Sequence, residues 1–120
     1  MSGIVWEDLE NSVDKQLTDG KLGNPVFLRW LIDVGSDASQ LESSMSKAVQ
    51  LANNWFKDKP NHTEKQGDDT TGQITSAITW PMGQSAIVSI ASTKTGRGTK
   101  QDLVLLCHKG SIYHRTPAFS

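Results

Sequence analysis

One run near the start of the chain, Val26-Phe27-Leu28-Arg29-Trp30-Leu31-Ile32-Asp33-Val34, constrains the fold more than any other segment. It is rich in β-branched and aromatic residues. In a strand, Val26, Leu28, Trp30, Ile32 and Val34 share one face, while Phe27, Arg29, Leu31 and Asp33 share the other. One face is wholly apolar and the other half apolar, so the strand belongs inside a sheet with neighbours on both sides. Such a sheet needs a second layer over its apolar face. The 120 residues, 36% hydrophobic and 21% charged, are enough for one globular domain of this kind.

Helical patterns stand on either side of that strand. Trp6, Leu9, Val13 and Leu17 recur at i, i+3, i+7 and i+11, a single apolar stripe. Glu7, Asp8 and Glu10 stand where the helix dipole favours negative charge, and Gly20 supplies a left-handed stop. The turn formers Gly20-Lys21-Leu22-Gly23-Asn24-Pro25 then lead into the strand. After Gly35, Ser39-Gln40-Leu41-Glu42 has the form of a capping box, which predicts a helix start there. Leu41, Met45, Ala48, Val49, Ala52 and Phe56 continue it as one apolar face to about Lys57.

Residues 58–72 form a polar connection with room for one short edge strand over 63–66. The period then changes to two. Ile74, Ile78 and Trp80 share one face of residues 73–80, and Pro81-Met82-Gly83-Gln84 is turn chemistry. Ala86, Val88 and Ile90 alternate with Ile87 and Ala91 in the return over 85–92. Residues 93–100 read as a Gly- and Lys-rich loop, 102–108 as a strand apolar on both faces, Lys109-Gly110 as a hairpin turn and 111–114 as the closing strand.

This order predicts a single α+β domain over residues 1–120: a mostly antiparallel open sheet of about five strands with the helices packed on one face. The other face holds Phe27, Arg29, Leu31, Thr75, Ala77, Thr79, Ile87 and Ser89. It is too apolar for comfortable solvation, and no element remains to cover it. A homodimer or higher homo-oligomer built through this face is the expectation.

Charge and cysteine usage narrow the function. The net charge of −1 provides no global field toward nucleic acid or an anionic membrane. No apolar stretch approaches the ~20 residues of a membrane span. The acidic MSGIVWEDLENSVDK lacks the pattern of a signal peptide. A single cysteine, Cys107, excludes an internal disulfide and suits a cytoplasmic location.

No motif for independent chemistry stands out. Gly96-Arg97-Gly98 lacks the third glycine of a dinucleotide fingerprint and opens a strand rather than a helix. Cys107 and His108 are strand neighbours pointing to opposite faces, and neither His62 nor His114 completes a zinc spacing. Gly83-Gln84-Ser85-Ala86-Ile87 lacks the closing glycine of a nucleophile elbow. Catalytic, cofactor-binding and metal residues are therefore none, and no cofactor is expected. Residues 1–70 carry twelve acids and seven bases, while 71–120 carry one acid and five bases. Lys94, Arg97, Lys100 and Lys109 could gather near one end of the sheet and hold a phosphate or nucleic acid, but aromatics for stacking are missing among them, and a solvated loop or charge complementarity between subunits is the preferred reading.

The segments in sequence resemble a known family. Gly20-Lys21-Leu22-Gly23-Asn24-Pro25-Val26-Phe27 is similar to the Gly-x-Leu-Gly-x-Pro lead-in to the C-terminal domain of the Gfo/Idh/MocA oxidoreductases. Asn54-Trp55-Phe56 is similar to the aromatic end of that domain's helix. The strand over 71–80, Gly83-Gln84-Ser85-Ala86, the return over 87–92 and the hairpin over 103–113 follow in the family's order.

The resemblance implies the fold of that substrate-binding and oligomerisation domain, without the Rossmann domain that binds NAD(P) in these enzymes. Family members carry an Asp and, four residues later, a His on the helix. One register puts Ser44 and Ala48 there, and the other puts Asp33 and Asp37. Neither keeps the pair. The combined expectation is a non-catalytic relative acting as a self-associating binding or assembly module. The alternative is the substrate-binding subunit of a split NAD(P)-dependent oxidoreductase whose Rossmann domain is a separate chain.

Overall fold

A computed structural model describes residues 6–35, 38–68, 70–92 and 100–116. In chain order the elements are α1 (Trp6–Asp19), β1 (Pro25–Asp33), α2 (Leu41–Phe56), β2 (His62–Asp68), β3 (Gln73–Thr79), β4 (Ser85–Ala91), β5 (Lys100–Cys107) and β6 (Gly110–Thr116). The strands form one open sheet in the order β2-β3-β4-β1-β5-β6. The α+β class, the helices on one face and the central place of β1 all match the pattern in the residues.

Four details differ from expectation or add to it. The sheet has six strands, because the polar connection supplies a full seven-residue edge strand, β2. Its side chains are all exposed, so it carries no apolar alternation. It is held by antiparallel pairing to β3, from His62 opposite Thr79 to Asp68 opposite Gln73. Pairing of β1 with β4 is parallel, from Phe27 opposite Ser85 to Asp33 opposite Ala91, while every other pairing is antiparallel. A parallel pair needs a long crossover, and the segment from α2 through β3 provides it.

The hairpin turn is one residue earlier than the sequence predicts. Cys107 pairs with Gly110 and His108-Lys109 is the turn, so Ser111 faces Leu106 and His114 faces Leu103. The reason lies outside the hairpin. The Lys109 N–H donates to the Leu22 carbonyl at 2.8 Å, and the His108 N–H donates to the Asn24 carbonyl at 3.0 Å. The loop after α1 thus grips the turn and fixes its position.

α1 ends as expected, with Gly20 at φ 78° and its N–H on the Leu17 carbonyl. α2 begins differently. A 3-10 turn, Ala38–Gln40, runs into the helix and Gln40 is the N-cap, so Ser39 lies inside a helical turn rather than at the boundary the capping box required.

The core lies between the helices and one face of the sheet. Leu28, Trp30 and Ile32 of β1 meet Leu41, Met45, Ala48 and Ala52 of α2, with Leu9 and Val13 of α1 closing one side. Three buried indoles have their N–H groups satisfied across elements. Trp30 donates to Gln101 Oε1 at 3.0 Å, Trp55 to Asp14 Oδ1 at 2.9 Å and Trp80 to Asn53 Oδ1 at 3.1 Å. Indoles combine a large apolar area with one donor that must be matched when buried. These three bonds fix β1 to β5, α1 to α2 and α2 to the end of β3.

Candidate functional site

Both helices cover the same side, which leaves the opposite face of six strands without a layer among the described residues. Strand register places the side chains of that face in rows across the sheet. One row runs His62, Thr79, Ser85, Phe27, Leu106 and Ser111, from β2 to β6. The next runs Glu64, Ala77, Ile87, Arg29, Val104 and Tyr113. The third runs Gln66, Thr75, Ser89, Leu31, Asp102 and Arg115, and the last runs Asp68, Gln73, Ala91, Asp33 and Lys100.

All eight residues singled out for this face stand on it: Phe27, Thr75 and Ser89 are half-buried, and Arg29, Leu31, Ala77, Thr79 and Ile87 are exposed. Leu31 and Ile87 are each 43% exposed, Leu106 42% and Tyr113 55%, a large apolar exposure for one sheet. Val104, Leu106 and Tyr113 belong to the same surface and escaped the sequence reading. The alternation of Asp102, Val104 and Leu106 with Leu103, Leu105 and Cys107 carries the signal. The misplaced hairpin turn hid it for Tyr113.

Polarity varies along the strands. The first two rows, nearest the His108-Lys109 turn, hold most of the apolar groups. The last two hold side chains already paired with one another. Thr75 Oγ1 and Ser89 Oγ are 3.0 Å apart, and Gln73 Nε2 donates to Ser89 Oγ at 3.2 Å. Arg115 donates to Asp102 Oδ2 at 3.2 Å and its guanidinium carbon stands 5.6 Å from the Tyr113 ring centroid, within cation–π range.

On the helix side, a cleft of roughly 680 Å³ opens between the ends of α1 and α2, bounded by Asp14, Thr18, Asn54, Gln84 and His108. One Asp14 oxygen is committed to the Trp55 indole. Among the described residues, no three His, Cys, Asp or Glu side chains come together as a metal site. The Cys107 thiol is buried, and loss of solvent pushes its pKa up, away from the reactive thiolate.

The basic residues that the structure describes do not gather at one end of the sheet. Lys100 opens β5 and Lys109 follows its end, so the length of the strand separates them. Lys94 and Arg97 lie outside the described residues. Of the family helix positions, Ser44 and Ala48 are buried against the core, and Asp33 accepts the Gly35 N–H at 2.8 Å where β1 ends. Asp37 lies outside the described residues.

No protein-family model matches the sequence, and no curated protein matches it. Solved structures do match. A probable dehydrogenase from Thermotoga maritima superposes with a TM-score of 0.70 at 11% identity, over 87% of this chain and 37% of that one. The apo scyllo-inositol dehydrogenase of Lactobacillus casei gives 0.67 at 12% identity, over 89% and 37%. The myo-inositol 2-dehydrogenase of Lactobacillus plantarum gives 0.64 at 11% identity, over 88% and 38%. The chain thus spans little more than a third of the dehydrogenases it matches. At these identities the likeness is one of fold, and it agrees with the segments that resembled the family in order. The chain has the fold of the C-terminal domain of the Gfo/Idh/MocA-type dehydrogenases.

Proposed function

We propose that this domain is a self-associating module, in which the uncovered sheet face of one copy meets the same face of a second. The observation that carries the reading is the cluster of Phe27, Ala77, Ile87, Val104, Leu106 and Tyr113 on a face that has no second layer among the described residues. Six strands about 4.8 Å apart and seven residues at about 3.3 Å each make a face on the order of 650 Å². Two such faces bury on the order of 1,300 Å², within the range of specific protein interfaces. Sheets pack face to face at about 10 Å, so side chains of this length fill the gap.

In this reading the module assembles or binds rather than catalyses on its own. Support comes from the family helix positions, where Ser44 and Ala48 offer neither an acid nor a base. Light scattering across a concentration series tests it: a mass of two or more chains at micromolar concentration is expected. A mass of one chain at all concentrations overturns the proposal.

A second reading has one specific support, the match to about 37% of each two-part dehydrogenase. Here the chain serves as the substrate-binding part of an oxidoreductase whose Rossmann domain is a separate polypeptide. It predicts a stable heteromer that binds NAD(P) only when both chains are present.

A further inference from the structure

We propose that the cleft between the ends of α1 and α2 binds a small organic cation, an alkylammonium group on a short apolar stem. The cleft stands on the helix side of the sheet, so the proposal is independent of self-association. It also lies away from the family helix positions. Ser44 and Ala48 stand in the first half of α2, and Asp33 ends β1. The cleft is lined instead by the last residues of α2 and by Pro25 and Val26, where β1 begins. The length of β1 separates the two places. A volume of roughly 680 Å³ is that of a small-molecule site.

Three observations favour a positively charged donor. The first is Asp14, whose Oδ1 accepts the Trp55 indole N–H at 2.9 Å, a bond that holds the carboxylate in place between the two helices. Its other oxygen receives no hydrogen bond among the described residues.

The second is Gln84, in the turn between β3 and β4. Its backbone carbonyl accepts the Trp80 N–H at 2.9 Å, while its side-chain Oε1 is buried with no donor among the described residues. A buried acceptor without a donor is costly, and an N–H entering the cleft is a group able to satisfy it.

The third is the pair of helix ends. The last turns of α1 and α2 both line the cleft, and neither contains a basic residue. A helix C-terminus carries partial negative charge on carbonyls that lack an intrahelical donor. The Lys57 and Asp58 N–H groups both go to the Asn53 carbonyl, so the carbonyls of Asn54, Trp55 and Phe56 receive neither. Leu17, Val26 and Met82 add hydrocarbon to the walls. An ammonium group there meets acceptors with its N–H donors while its methylenes lie on hydrocarbon. Lys57, an exposed lysine among the lining residues, opposes a cation, and its removal is part of the test.

The Trp55 indole N–H is a reporter built into the site, because it is bonded to the carboxylate that the cation meets. In proton–nitrogen correlation spectra of the full chain, n-butylammonium chloride is expected to shift this peak saturably. Equal concentrations of myo-inositol, a neutral polyol, and of sodium succinate, an anion, should leave it in place. Asp14→Asn keeps an acceptor for the indole but removes the charge, and should weaken butylammonium binding by about tenfold or more. Lys57→Gln should tighten it. Gln84→Met, close in volume and without the orphaned oxygen, should weaken binding while raising the urea midpoint of the free chain.

No saturable shift at tens of millimolar butylammonium overturns the proposal. So does a shift that myo-inositol or succinate reproduces. Unchanged affinity in Asp14→Asn, or in Gln84→Met where the first variant does not fold, overturns it as well.

Discussion

The Trp30 indole N–H donates to the Gln101 side-chain oxygen at 3.0 Å, with Trp30 fully buried and Gln101 only 3% exposed. Two neighbouring central strands are joined by a polar bond inside the core as well as by their backbone ladder. Replacing Gln101 by Leu removes the acceptor but leaves the indole N–H without water or a partner. The expected loss is about 1–3 kcal/mol, read by urea denaturation. Adding Trp30→Phe to Gln101→Leu removes the orphaned donor, so the double variant should lose less than the sum of the single losses.

Lys57 ends α2 in a left-handed conformation, φ 59° and ψ 38°, with its N–H on the Asn53 carbonyl. A lysine there carries the steric cost of its Cβ, roughly 1 kcal/mol. Lys57→Gly relieves that cost and loses only an exposed side chain. The variant should be more stable by up to about 1 kcal/mol, with an unchanged fold by circular dichroism.

Gly67 on the edge strand has φ 92°, and a Cβ built there would stand 2.0 Å from the Gln73 carbonyl oxygen. Backbone on the neighbouring strand cannot move aside as a flexible side chain can. Gly67→Ala should release the end of β2 from β3. Hydrogen exchange of amides in β2 should accelerate while those of β1 and β5 stay protected.

Ile87 is 43% exposed at the middle of the open face. Ile87→Asp places a carboxylate in the middle of the face proposed to meet a second copy, where burying a charge is costly. The variant should shift the association curve toward single chains by at least tenfold in concentration. Its melting as a single chain should change little, since the side chain is not part of the helix-side core.

Asp68 accepts the Thr70 hydroxyl at 2.6 Å and the Thr70 and Thr71 amides at 3.0 and 3.1 Å, in the turn between β2 and β3. The Thr70 hydroxyl and the backbone donors hold its carboxyl below the usual carboxylate range. A depressed pKa in the folded chain gives a contribution that is present above the unfolded value and is lost as pH falls through the folded one. The stability gap between the parent and Asp68→Asn should therefore narrow as pH falls below about 4. Urea titrations at several pH values check this.

Much of this was legible because burial imposes a period. The alternations in β1, β3 and β4 and the 3.6-residue stripe on α2 each mark a side that meets the core, and the open face follows as the remainder. β2 has no buried side, so it left almost no mark on its own residues. Its existence depends on the vacant edge of β3. The turn at His108-Lys109 was misplaced by one residue because carbonyls more than eighty positions earlier hold it, and local turn chemistry contains nothing of that. Parallel pairing of β1 with β4 was equally silent, since a strand buried on one face alternates in the same way whichever direction its neighbour runs. Val104 and Leu106 were missed for a related reason: an apolar strand on both faces reads as central, and only the neighbouring elements reveal which side has no cover.

The position of β1 between β4 and β5 has a consequence for how the chain is made. The strand leaves the ribosome before both of its neighbours, which begin more than fifty residues further along the chain. Until Ala91 has emerged, the strand's nine residues have an unmet backbone ladder on both edges, and the β5 edge stays unmet until Cys107 follows. The nascent chain must therefore carry this apolar strand unpaired while more than fifty further residues are made. During vectorial synthesis, this strand is the stretch a ribosome-bound chaperone would hold.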